Sequence, residues 1–319
     1  MSGVYEWICS ESAPRGYPMK VLAGDLGFPD GSSLYVPANK IIEPGWGLSV
    51  STHLVGEDLK PVPDRLAIAF YSYTEDRFYD GTFVLPHARM QDLFAQGHRS
   101  YKSGERITFH RIVVGVAPGG AVSVWLVSSD RTVEVFFGYA AEADFDFALV
   151  AGEAAPPRER YVADKLREIL PVAQRQQLQT DGVPLGCWER FRERYPWRPA
   201  FEGPSPRAIA PLRFWNGEVD WYPCPVPRGA EMRPVPSFLE FQLPRLAARP
   251  LRYLLSFDEA EIFDAYRRLA RRPEPMELVL ATPAPSHPLF SVYLRSPHER
   301  VPLAKTDVTF RTASSSRRP

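Results

Sequence analysis

Ser123-Val-Trp-Leu-Val-Ser128 and Ser291-Val-Tyr-Leu-Arg-Ser296 decide how this chain is read. Each is a run of β-branched and aromatic residues ending in a serine, the composition of a strand entering a turn. They align at an offset of 168, and Val133 meets Val301 at the same offset. Outward from the first copy, Arg106–Val116 and Thr132–Tyr139 read as strands, joined to it at Ala117-Pro-Gly-Gly120 and at Ser129-Asp130. Upstream lie two more strands, Leu66–Tyr73 and Phe78–Val84, and then a helix opened by Pro86, faced by Met90, Leu93 and Phe94 and closed by Gly97. The spacing predicts an antiparallel meander with a helix packed on one side.

The second copy follows the same order. Arg252–Ser256 is a strand, Ser256 and Glu259 form a capping box, and Ile262, Phe263, Tyr266 and Leu269 make a helical stripe up to Arg272. Strands Met276–Ala281, Phe290–Arg295 and Lys305–Arg311 come next. A fainter echo sets Trp7–Gly16 against Trp221–Gly229. The recurrence predicts an internal duplication.

Between the copies, Tyr161–Trp197 reads as mostly helical, broken at Pro171, with a second short helix over about Cys187–Tyr195. The expected fold class is α+β: two mainly antiparallel β-rich domains, each with a packed helix, joined by a helical bridge. The expected boundaries are 1–155, 156–205 for the bridge and 206–312, with a polar, disordered tail over 313–319.

The 33 prolines among 319 residues are about twice the ordinary ~5% share, which favours many short strands and turns. Zero net charge hides an asymmetry: residues 1–155 carry 12 Lys+Arg and 19 Asp+Glu, the remainder 26 and 19. Arg interleaved with Glu in the basic half, without a matching motif, argues against nucleic acid as a partner. Three scattered cysteines, Cys9, Cys187 and Cys224, make neither a disulfide framework nor a zinc site. No apolar run is long enough to span a membrane. The start, Met1–Ser12, shows no secretory leader, so the chain as written is expected in the cytoplasm, or in the periplasm if a leader was removed.

Catalytic patterns are sparse. GxGxxG, the phosphate loop, GxSxG, HExxH and the EF-hand loop are all missing, and no cofactor or metal is expected. Histidines 53, 87, 98, 110, 287 and 298 never fall at ligand spacing; His110 reads as a half-buried strand residue, His87 and His98 as surface residues flanking a helix. Glu75 and Asp76 suggest an acid/base pair, but neighbours on an extended chain point apart, and a polar turn fits better. A hydrolase with a composite site, drawing on His110, Cys187 or Glu75, stays open as one alternative.

Two stretches have the composition of binding surfaces. In Gly45-Trp46-Gly47 the small neighbours either let the indole tuck against a sheet or display it on a loop. Trp188-Glu-Arg-Phe-Arg-Glu-Arg-Tyr-Pro-Trp197 concentrates the residue types of interface hot spots. Either Trp188 and Phe191 pack inward, or Trp46, Trp188, Arg190, Arg192, Arg194 and Trp197 contact a partner.

Tyr5-Glu-Trp7, Ala13-Pro-Arg-Gly-Tyr-Pro18, Gly45-Trp-Gly47, Tyr71-Ser-Tyr-Thr-Glu-Asp-Arg-Phe-Tyr79 and Ala117-Pro-Gly-Gly-Ala-Val-Ser-Val-Trp-Leu126 occur in an order that resembles a bacterial family called domain of unknown function 2931. The resemblance covers roughly residues 5–140, with a diverged echo beyond 215. Members are commonly small lipoproteins of proteobacteria, some encoded beside type VI secretion effectors such as phospholipases. The resemblance implies a non-enzymatic immunity protein that neutralises a cognate secreted toxin, with an effector-loading adaptor or chaperone as the alternative. This chain departs from the pattern in its doubling and in lacking a lipobox leader. The family supplies no catalytic residues.

Overall fold

The computed structural model describes residues 3–52, 56–227, 229–245, 248–281 and 290–312. The expectation for the tail 313–319 and the readings of His53 and His287 lie outside these residues. Contacts divide the chain into two units, Met1–Trp188 and Glu189–Pro319.

The first unit begins with strands β1 (Val4–Glu6), β2 (Ile8–Ser12), β3 (Met19–Gly27), β4 (Ser33–Tyr35), β5 (Ile41–Ile42), β6 (Leu59–Pro61), β7 (Arg65–Ser72) and β8 (Arg77–Val84). Helix α1 (His87–Gln96) follows, then β9 (His98–Arg99), β10 (Arg106–Ile107), β11 (Arg111–Ala117), β12 (Ala121–Val127), β13 (Thr132–Tyr139) and β14 (Ala141–Ala143). Helices α2 (Ala148–Ala151), α3 (Arg158–Ile169), α4 (Val172–Asp181) and α5 (Cys187–Arg190) close the stretch.

The strands are not one meander. The β7–β8 hairpin lies in a sheet ordered β14-β8-β7-β3-β4, whereas β11, β12 and β13 form another with β2 at its edge. β2 runs parallel to β11, and α1 carries the chain between the sheets. Burial explains the split, because β3 and most of β7 bury alternate residues while β11 and β12 are buried almost throughout, and stacking the two sheets makes one core. Leu66, Ile68 and Phe70 of β7 meet Ile112, Val114, Val124 and Leu126 of β11 and β12 there, with Met90 and Phe94 of α1. The outer face of β7 and β8 gathers Tyr71, Tyr73 and Phe78 under Val150 and Val162 of the helical segment. The expected strand Arg106–Val116 is interrupted, since Arg106–Ile107 pairs with β9 while Thr108 donates its hydroxyl to the Phe94 carbonyl at 2.6 Å.

The second unit contains β15 (Arg194–Glu202), β16 (Ala208–Phe214), β17 (Val219–Pro223), β18 (Glu231–Pro234), β19 (Pro236–Arg245) and β20 (Ala248–Ser256), then α6 (Glu259–Leu269), β21 (Met276–Ala281), β22 (Ser291–Arg295), β23 (Arg300–Pro302) and β24 (Asp307–Thr312). Tyr195 and Trp197 therefore lie on a strand, and the short helix expected to reach Tyr195 stops at Arg190. The cap of α6 is Asp258, whose carboxylate accepts from the Glu261 N–H at 2.9 Å, in place of the expected Ser256. Ser256 still pairs on β20 and Phe257 is buried, so the turn into the helix comes two residues later.

The pairing order of the second unit is that of the first. β15 runs parallel to β21, which pairs antiparallel with β22 and that with β23, as β2, β11, β12 and β13 do. β16, β19, β20 and β24 pair in sequence, as β3, β7, β8 and β14 do. Leu126 lies opposite Ile112 and Val133, and Leu294 opposite Leu278 and Val301. The N-terminal echo is different from the one read in the sequence. Trp197, not Trp221, stands where Trp7 stands: Trp7 comes just before the first parallel pair of β2 with β11, Trp197 is in the first parallel pair of β15 with β21, and each donates its indole N–H to a proline carbonyl, Pro61 at 3.3 Å and Pro234 at 3.0 Å.

Candidate functional site

The six aromatic and arginine candidates fall in different environments. Trp197 is fully buried and Trp188 is 3% exposed. Trp46 is half-buried, its ring edge-on to Trp125 at 4.8 Å and tilted on Trp188 at 5.5 Å, with Tyr17 edge-on to Trp188 at 5.7 Å. Gly115 makes the room, because a Cβ there would stand 2.4 Å from the Trp125 ring and 3.0 Å from that of Trp46. These indoles are packing residues, and burial withdraws Trp188 and Trp197 from any docking face. Arg190 pairs with Glu259 and lies 5.2 Å over the Phe263 ring, while Arg194 contacts Glu218 at 2.8 and 2.9 Å. Arg192 and Arg194 are exposed.

Glu75 and Asp76 occupy the turn between β7 and β8, with Asp76 in the left-handed region at φ 53°. They diverge. Glu75 accepts from the Gly119 N–H at 3.0 Å and the Tyr79 hydroxyl at 2.9 Å, tying the turn to the β11–β12 connection. Asp76 accepts from the Tyr71 hydroxyl and from Arg158 Nε at 2.7 Å. The Arg158 guanidinium also covers Phe78 and Phe147 at 5.3 and 5.1 Å, which fastens α3 to the sheet. Burial, then the Asp76 hydrogen bond, pushes the Tyr71 phenol far above its ordinary value. Both carboxylates hold the fold together.

A serine, a histidine and an aspartate do meet. His98 Nε2 lies 2.8 Å from Asp130 Oδ1 and 3.1 Å from Ser128 Oγ, and the Ser100 hydroxyl donates to Asp130 Oδ2 at 2.6 Å. The reading of His98 as a surface residue is corrected, for its ring is buried against Phe109 where β9 folds back over the β12–β13 turn. His110 is corrected the other way: it is exposed, one residue before β11 begins. A hydrolytic triad needs serine and carboxylate on opposite ring nitrogens. Here both face Nε2, and the Ser128 hydroxyl donates to the Arg131 carbonyl at 3.0 Å. Desolvation raises the Asp130 pKa, but the bonds from Ser100, His98 and the Tyr101 N–H outweigh it and hold the carboxyl below its ordinary value. The cluster pins the hairpin. Burial also pushes the Cys9 thiol far up and Cys224 up to about 11, against the thiolate a nucleophile needs.

The second unit has an open polar cleft of about 880 Å³ at the C-terminal end of α6. Arg267, Arg268, Arg271 and Arg272 line it on one side, and Ser296, His298 and Glu299 of the β22–β23 turn on the other. Arg267 is engaged by Glu193 at 2.6 Å, Arg268 by Glu299 and His298 by Glu274 at 3.0 Å. Arg271 and Arg272 are exposed and have no ion pair among the described residues. The sequence signal was the Arg267-Arg268 and Arg271-Arg272 doublets. The helical periodicity marks only the apolar side of α6, and the facing turn between β22 and β23 is distant in sequence.

Among the described residues no group of three or more His, Cys, Asp or Glu side chains is placed to hold a metal ion, and no helix is long and apolar enough to cross a membrane. Two α+β units of mostly antiparallel strands, each carrying a helix between its sheets in the chain order, define the class of protein. A family model described as protein of unknown function (DUF2931) matches residues 3–186, nearly the whole first unit, and the chain belongs to that family. No curated protein and no solved structure matches it.

Proposed function

We propose that this chain is a non-enzymatic immunity protein that binds and neutralises a cognate secreted antibacterial effector of the type VI kind, a lipase being one effector class the family setting implies. The observation that carries the reading is the commitment of the reactive groups to architecture. Glu75 and Asp76 brace a turn from opposite sides, and the Ser128–His98–Asp130 cluster points its hydroxyl at a backbone carbonyl. Cys9 is sealed in the core. A binding protein needs none of them reactive, and uses rigid units that present side chains to a partner.

The test is to mix the purified chain with the product of the effector gene encoded beside it. The reading expects a stoichiometric complex by size-exclusion chromatography and calorimetry, with the effector's activity blocked. A complex that leaves the effector fully active and also contains secretion-apparatus protein would replace immunity with the adaptor role. Hydrolysis by the chain alone, lost in Ser128→Ala, would replace both.

A further inference from the structure

We propose that the arginine cleft at the end of α6 is a docking site for an acidic loop of the protein partner, an inference that rests on the binding reading above. The argument comes from the first unit. There the chain between α1 and β11, residues 97–110, includes the β9–β10 hairpin, and that hairpin lies against the β12–β13 turn. In the second unit the corresponding link between α6 and β21 is only residues 270–275 and has no hairpin. The helices correspond through their ring contacts, Phe94 stacked on Tyr5 at 4.9 Å and Tyr266 tilted on Tyr195 at 5.2 Å. The turns correspond through their bonds: Ser128 N–H donates to the Arg131 carbonyl as Ser296 N–H does to the Glu299 carbonyl, both at 2.8 to 2.9 Å. What one unit fills from its own chain, the other leaves open as the cleft.

The charge around this position differs between the units. Asp130, the buried anion that takes the hairpin's donors, corresponds to His298 in the second unit. The helix end facing His298 contributes four arginines, against Asp264 and Glu299 in the lining and Glu193 and Glu274 paired at its edge. The second unit as a whole carries 21 Lys+Arg and 15 Asp+Glu. Arg271 and Arg272 offer two planar forks for carboxylates. The interspersed acids disfavour a polyphosphate backbone. Leu269, the apolar residue of the lining, is buried, so a lipid surface finds no anchor. An acidic protein loop entering where the first unit places its hairpin fits both shape and charge.

The probe is a fluorescein-labelled hexaglutamate peptide, titrated against the full chain by anisotropy at low and high salt. The expected result is salt-sensitive binding, weakened at least about tenfold by Arg271→Glu with Arg272→Glu, and weakened also by His298→Asp, which puts a competing carboxylate in the cleft. Arg160→Glu, an exposed arginine on α3 of the first unit, leaves it unchanged. All three variants lie on exposed side chains, and circular dichroism checks that each is folded. No peptide binding at low salt, or equal binding by the double variant, overturns the proposal. So does tighter Arg271-dependent binding of a single-stranded oligonucleotide or of phosphatidylglycerol vesicles. A cleft without peptide affinity in a chain that still captures its effector removes the cleft alone, and peptide binding without an effector complex removes the immunity reading alone.

Discussion

Trp197→Ala separates a packing role from a binding role. The indole is fully buried, its N–H donates to the Pro234 carbonyl at 3.0 Å, and its ring meets Tyr266 of α6 at 5.9 Å and Phe214 of β16 at 6.5 Å. Burying an aromatic of this size removes roughly 150–250 Å² from water, and at about 25 cal/mol per Å² that is on the order of 4–6 kcal/mol. Truncation in proteins costs about 3–5 kcal/mol, and leaving the Pro234 carbonyl without its donor falls within that range. Trp197→Phe keeps most of the area and loses the donor, so about 1–3 kcal/mol is expected. The assay is urea unfolding followed by circular dichroism, with hydrogen exchange over residues 194–202 and 276–281 locating the loss on the β15–β21 pair. A change under about 1 kcal/mol for Trp197→Ala, accompanied by loss of effector binding, would refute the reasoning and return the indole to the surface.

Three further outcomes follow from the geometry. Asp130→Asn replaces an acceptor of three donors by a group that must turn an N–H₂ toward one of them, and about 2–4 kcal/mol of stability is expected to go at pH 7. Because the folded carboxyl sits below its unfolded value, its contribution is present above the unfolded pKa and is lost as pH falls through the folded one; denaturation midpoints across pH 2–7 should be flatter on the acid side in the variant. Gly120→Ala should destabilise strongly, since φ is +78° and a Cβ would stand 2.4 Å from the Ala140 carbonyl oxygen, and a melting curve unchanged from the parent would contradict this. With a thiol reagent at neutral pH, half-exposed Cys224 should react first and slowly, with buried Cys9 and Cys187 modified only on unfolding; mass spectrometry of the early adduct decides.

Much of the strand content was legible because it is local. The hairpin pairs Leu66–Tyr73 with Phe78–Val84 and Ala121–Ser128 with Thr132–Tyr139 carry both the alternation and the turn that closes them. Their assignment to two sheets was not legible, because the choice depends on β2 and β3, which are short or distant from the strands they join. The 168 offset is visible at β12 and β22, where the two units keep the same hairpin length. It failed at Trp7 and Trp197, since the connections before β11 and β21 differ in length and a different tryptophan, Trp221, happened to precede a similar Pro-Arg-Gly. Aromatic and arginine density around Trp188 leaves packing and binding both open in the sequence, because hot-spot composition and core composition share their tryptophans, and only burial tells them apart. The cleft was missed because its two walls are brought together by the turn at Ser296, far from α6 in sequence.

The most direct measurement is growth of cells that express the adjacent effector, with and without this chain in the same compartment. Neutralisation is predicted: growth restored by the parent and by Trp46→Ala, and reduced in the folded Arg271→Glu, Arg272→Glu variant. Undiminished toxicity in the presence of abundant, folded chain that reaches the effector's compartment would contradict it.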